Sequence, residues 1–113
     1  MKYKFSLVPF PFDDKNTNKV RPCLCLTEPV GTNNLITVAF ITSQIRNAHE
    51  PSDILLLKSD IYFAETGLRE SSAIRLHKVA SLPLHLFKRE LGSLPSSYHE
   101  ELDIKLKHLY QLR

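Results

Sequence analysis

Lys19-Val-Arg-Pro-Cys-Leu-Cys-Leu26 and, further along, Phe40-Ile-Thr-Ser-Gln44 are the stretches on which the reading of this chain turns. Each joins an apolar, β-like run to polar groups that a buried strand would not select. Pro22 to Thr27 is apolar at successive positions, so both of its faces are expected in contact with core and the strand is expected to be central. Arg21 stands immediately before it. Leu35 to Ile41, rich in β-branched residues, predicts another strand, and Thr42-Ser43-Gln44 stands immediately after it. If the two strands are neighbours, a guanidinium and two hydroxyls converge at one end of the sheet. That set of groups suits a phosphodiester better than a core.

Working outward, Phe5 to Phe10 predicts a first strand, ended by Pro9 and Pro11, which cannot donate to a ladder. Phe12 to Val20 is polar and reads as a surface loop; Glu28 to Asn34 reads as a turn. Asp53 to Leu57 predicts a fourth strand, Ser59 to Glu65 a short helical turn closed by Gly67, and Ser72 to Val79 an alternating, half-exposed strand. Pro83 to Glu90 predicts a short helix, followed by Leu91-Gly-Ser-Leu94. The clearest helix is the last. Ser97 is the expected cap, Glu100 and Glu101 fall at the positive end of its dipole, and Leu102, Leu106, Leu109 and Leu112 form one apolar stripe.

With 113 residues, the chain is expected to fold as one β-rich domain over residues 1–113. A content of 42% apolar and 24% charged residues is ordinary for a soluble protein, and the net charge of +3 permits an anionic partner without demanding one. No apolar run approaches the roughly 20 residues needed to cross a bilayer, and the first residues do not read as a signal peptide. The expectation is therefore a cytoplasmic protein with no membrane association. Cys23 and Cys25, two apart on a strand, fit disulfide geometry poorly and have no further ligands nearby for a metal; both read as small buried hydrophobes.

In order and spacing, several segments resemble the PemK/MazF family of toxins from type II toxin–antitoxin systems: Leu7-Val-Pro-Phe-Pro-Phe12, Lys19 to Leu26, Ala39-Phe-Ile-Thr-Ser-Gln44, Gly67-Leu68 with Ser72-Ala-Ile-Arg75, and Leu91-Gly-Ser-Leu94. The resemblance spans nearly the whole chain, and the Arg-Pro and Ile-Thr-Ser-Gln segments are its specific part. It departs at Tyr3-Lys4, where the family usually has Gly-Asp, and in the loop before Arg21, which carries Asp13-Asp14-Lys-Asn-Thr-Asn18 in place of a glycine. The resemblance implies a mainly β (α+β) fold, a compact SH3-like barrel of the MazF/CcdB type with short helices and a C-terminal helix. It also implies a homodimer, a cognate antitoxin whose disordered tail crosses the RNA groove, and a metal-independent endoribonuclease acting on single-stranded RNA without a cofactor. Arg21 and Thr42 match the family's catalytic pair; Ser43, Gln44 and Ser72 fall where the family lines its site.

Metal-free RNA cleavage uses the ribose 2′-hydroxyl as nucleophile, which DNA lacks. Arg21 matches two phosphate oxygens and stays charged, so it is read mainly as a stabiliser of transition-state charge rather than a base. Thr42 and Ser43 would add hydroxyl contacts. Lys19 and Arg75 are candidate phosphate contacts along a single-strand groove, as are, more weakly, Lys15, Arg46 and Arg69, with Phe10 or Phe12 stacking on a base. Asp13 and Asp14 could accept a proton, although solvated loop positions are commoner. His77 is given little part in binding RNA, and His99 and His108 are read as surface residues of the helix. Two alternatives stand beside the nuclease: a toxin of the same fold that binds DNA gyrase, against which the lack of tryptophan counts, and a relative that binds RNA or antitoxin without cutting.

Overall fold

The computed structural model describes residues 1–9 and 19–112. Six strands are formed among them: β1 (Lys4–Pro9), β2 (Val20–Cys25), β3 (Leu35–Thr42), β4 (Asp53–Leu56), β5 (Ser72–Pro83) and β6 (Arg89–Ser93), followed by one helix, α1 (His99–Leu109). The sheet runs β4-β5-β3-β2-β1-β6, and every neighbouring pair is antiparallel. It curls into a half-barrel. The mainly β architecture with short helical turns and a C-terminal helix is the one expected from sequence.

The doubly apolar pattern of β2 has the expected cause. Leu24 points into one core with Phe5, Ala39, Ile54, Ile74, Leu76 and Leu102. Cys23 and Cys25 point to the other face, among Val8, Ile36, Val38, Phe40 and Leu82. Both thiols are reduced and fully buried. A hydrogen bond between them, together with burial, pushes the Cys23 thiol up.

Two register breaks shape the sheet. Ala39 pairs with Val79 but the next residue, Phe40, pairs with Arg75, so Leu76, His77 and Lys78 bulge from β5. Such bulges bend a strand and re-aim its side chains. Beyond the bulge, β5 pairs with β3 and β4 at once. A smaller break between Phe5 and Ser6 sets off Leu91 of β6.

The two sheet edges, β4 and β6, are brought together by the 3₁₀ turn Phe63–Thr66, which follows β4 in the chain and lies on β6. That approach requires glycine on both sides. A Cβ at Gly92 would overlap the Glu65 carbonyl oxygen and sit 2.5 Å from the carbonyl carbon of Thr66. Gly67 adopts φ +72°, and its Cβ would collide with the Leu91 backbone.

Four expectations are corrected here. Pro83–Glu90 is not a helix: β5 continues to Pro83, a single 3₁₀ turn spans Leu84–Leu86, and Arg89 already begins β6. Ser97 does not cap α1; it lies inside a 3₁₀ turn (Ser96–Tyr98), and the residue before the helix is Tyr98, with no side-chain cap. The apolar stripe of α1 is Leu102, Leu106 and Leu109, all against the core, while Leu112 lies past the helix end and is 64% exposed. The start of α1 is held by aromatic contacts. The Tyr98 hydroxyl donates to Asp60 Oδ2 at 2.8 Å, and the His99 ring, far from being a plain surface residue, stacks on Tyr3 at 3.8 Å. Among the described residues no helix is long and apolar enough to cross a membrane.

Candidate active site

At one end of the half-barrel, β2 begins where β3 ends. The register Cys23↔Phe40 and Leu24↔Ala39, continued outward, sets Arg21 level with Thr42. On the other side of β3, Phe40 pairs with Arg75 and Thr42 with Ala73. Alternation along each strand then puts Arg21, Phe40, Thr42 and Arg75 on the same face. They line a depression of about 360 Å³ together with Pro22, Ile41, Ser43, Gln44, Ser72 and Lys78. Its floor is the buried Phe40 ring and its walls carry cations and hydroxyls.

The hydrogen bonds indicate which groups can face a ligand. Thr42 Oγ1 accepts the Gln44 amide at 3.1 Å. A hydroxyl has one proton and two lone pairs, so Thr42 can still donate into the depression. Gln44 accepts from Asn47 Nδ2 through Oε1, which leaves its own amide nitrogen as a donor. Ser72 also lines the depression, but it is buried and its hydroxyl donates to the Glu70 carbonyl at 2.8 Å. Ser43 and Gln44 are exposed just past the end of β3.

Of the candidates named from sequence, Arg21, Thr42, Ser43, Gln44, Ser72 and Arg75 therefore meet in one place. Lys19 is exposed just before β2 and is not among the lining residues. Asp13, Asp14, Lys15, Phe10 and Phe12 lie outside the described residues. Two residues escaped the sequence reading. Lys78 reaches the depression because the β5 bulge turns it there, and a bulge leaves no period in sequence. Asp53 looks like a polar strand start, yet its side chain is 3% exposed and its Oδ1 lies 2.8 Å from Arg75 Nε. The signal for it, a carboxylate register-matched to an arginine, exists only once β4 is paired with β5.

A larger concavity of about 600 Å³ lies between α1 and the Glu50–Ser52 turn, lined among others by His77, Ile104, Lys105, His108 and Leu109. Size favours it, but chemistry favours the smaller one: here there are no converging hydroxyls, and Lys105 is already bound to Glu101 and to the Asp53 carbonyl. Among the described residues no group of three or more His, Cys, Asp or Glu side chains could hold a metal ion.

The family model described as PemK-like, MazF-like toxin of type II toxin-antitoxin system matches residues 3–110. The chain belongs to this family. Solved structures superpose on most or all of its length. A Mycobacterium tuberculosis toxin, MazF-mt6, aligns with TM-score 0.73 at 22% identity, covering 97% of this chain and 98% of its own. An endoribonuclease in complex with its cognate antitoxin, from a mycobacterial species, aligns with TM-score 0.72 at 11% identity, covering 100% and 96%. A third, an M. tuberculosis toxin, gives 0.62 at 24% identity over 78% and 90%. At these identities the likeness is one of fold. A comparison with curated protein sequences gave no match. In this PemK/MazF-like chain, the depression lies at the strand ends that the Arg-Pro and Ile-Thr-Ser-Gln segments form.

Proposed function

We propose that this toxin-family chain is an endoribonuclease that cleaves single-stranded RNA without a metal or cofactor, and that the depression around Arg21 is its active site. The observation that carries the reading is the β2–β3–β5 register, which gathers Arg21, Thr42 and Arg75 on one face from three separate strands.

In the reaction, the 2′-oxygen attacks the adjacent phosphorus and the bond from phosphorus to the 5′-oxygen breaks. The products are a 2′,3′-cyclic phosphate and a 5′-hydroxyl. Negative charge builds on the non-bridging oxygens, and the Arg21 fork meets two of them while the Thr42 hydroxyl donates to the same phosphate. Ser43 and the Gln44 amide flank it. Arg75 and Lys78 receive the neighbouring phosphates of the strand. The described lining residues include no carboxylate or imidazole, so the sequence candidates for taking the 2′-proton are Asp13 and Asp14.

As for partners, the reading includes a homodimer, a single toxin domain acting in the cytoplasm, and a cognate antitoxin that covers this depression. An acidic, apolar-bearing antitoxin tail would fold onto the same cations that hold RNA. The test is cleavage of long single-stranded RNAs in excess EDTA by the wild type and Arg21→Ala. Fragments ending in a cyclic phosphate are expected, with the variant slower by about 10²–10³-fold, the usual loss for one oxyanion donor. A folded wild type that cuts no RNA, or a folded Arg21→Ala with full activity, refutes the reading.

A further inference from the structure

We infer that Asp53 and His77 are positioning residues that hold the Arg75 guanidinium against the RNA depression, an inference that rests on the proposed nuclease reading. Asp53 and Arg75 are direct cross-strand partners on β4 and β5. The Asp53 side chain is 3% exposed and that of Arg75 16%, with Nε 2.8 Å from Oδ1. The contact is short but off-axis. These two atoms are, among the described residues, the buried side-chain polar atoms without a directed hydrogen bond, so charge and packing hold the pair. Asp53 itself cannot move: its Oδ2 accepts the Glu50 amide at 3.0 Å and its carbonyl accepts Lys105 Nζ at 2.7 Å.

His77 grips the other side. Arg75 Nη2 lies 3.2 Å from His77 Nε2. Arginine has only donors, so Nε2 must accept and the ring proton must sit on Nδ1. Nδ1 then donates to Ser52 Oγ at 3.1 Å, and it lies 3.8 Å from Asp53 Oδ1. Arg75 has five donors. Nε packs against the Asp53 carboxylate and one Nη reaches His77, and the residue still lines the depression. It thus meets a phosphate as a preset fork rather than as a mobile side chain, which lowers the ordering cost of binding.

A plain strut between β4 and β5 would hold the same atoms and would also couple the two variants, so a double-mutant cycle is run on cleavage and on melting, and positioning requires a coupling in cleavage that exceeds any coupling in melting. RNA cleavage (kcat and KM) is measured for wild type, Asp53→Asn, Arg75→Ala and the double variant, with folding followed by thermal melting. Positioning predicts that Asp53→Asn loses about 10- to 100-fold in kcat/KM, and that the double variant is no slower than Arg75→Ala alone. Multiplying losses, or full activity in Asp53→Asn, overturn the inference. His77 is exposed and gives an independent pair: His77→Gln keeps an acceptor and should retain activity, while His77→Leu should lose it. Equal activity in these two overturns the inference even if Asp53→Asn fails to fold. A wild type that does not cleave at all removes the nuclease reading, and this inference falls with it.

Discussion

Replacing Lys78 by alanine should leave a signature in salt dependence rather than in fold. Among the described residues, three cations line the depression: Arg21, Arg75 and Lys78. A protein that neutralises Z phosphates of a single strand loses affinity with salt at a log–log slope of about −0.7Z, so three full contacts would give about −2.1. Arg75 already faces the Asp53 carboxylate at 2.8 Å and brings little counter-ion exchange of its own, which places the slope between about −1.4 and −2.1. Lys78 is exposed. Its removal should flatten the slope by about 0.7, so that raising salt fourfold, from about 50 to 200 mM, weakens the wild type about 2.6-fold more than the variant. The assay is fluorescence anisotropy with 2′-fluoro RNA, which has no nucleophile and stays intact. Melting of the variant should match wild type within about 0.5 kcal/mol, as for most surface substitutions. A Lys78→Ala protein with unchanged affinity and unchanged slope would refute the reasoning, because the strand would then not pass over this depression.

Two further outcomes concern the scaffold. Gly92→Ala should destabilise the protein by about 1–3 kcal/mol, seen as a melting temperature lower by roughly 4–13 °C, because the new Cβ meets the Glu65 and Thr66 backbone; an unshifted melt would show that the seam between β4 and β6 is not closed there. The Tyr98–Asp60 contact predicts a pH window. Burial and the Asp60 carboxylate push Tyr98 up to about 12, and the Tyr62 amide and Tyr98 hydroxyl hold Asp60 below the usual carboxylate range. A raised tyrosine stabilises the fold below its unfolded value near 10.0 and loses that contribution as pH rises towards about 12; a lowered aspartate stabilises above 3.8 and loses it as pH falls further. Chemical denaturation across pH should therefore show the advantage of wild type over Tyr98→Phe steady at neutral pH and vanishing at both ends. An advantage that persists above pH 12 would contradict the assignment.

The strands that carry the proposed site were legible because their burial is one-dimensional information. A run such as Pro-Cys-Leu-Cys-Leu26 can be apolar at every position only where both faces of a strand are covered, and β2 is central for that reason. Leu35–Thr42 ends where its β-branched pattern stops. The helix stripe at Leu102, Leu106 and Leu109 follows from period 3.6 alone. By contrast, β6 has no alternation to read: Arg89-Glu-Leu-Gly-Ser93 is a half-exposed edge whose backbone pairing with β1, not its side chains, makes it a strand. The same holds for the far half of β5, where Leu84 and Phe87 imitate a short helix.

What the sequence determined by itself was β1 to β4 and the first part of β5, the closing helix and the presence of Arg21 and Thr42 at strand ends, because local periodicity and strand punctuation are properties of neighbouring residues. Only the tertiary structure decided which side chains share a site. Arg21 meets Thr42 through the β2–β3 register, Lys78 enters through a bulge, and Asp53 becomes a buried partner of Arg75 through pairing across 22 residues of chain, from 53 to 75. Register is a long-range choice: a shift of one residue turns every side chain to the opposite face. The positions of Arg75 and its clamp are therefore set by how the whole sheet closes, and no local stretch of the chain encodes them.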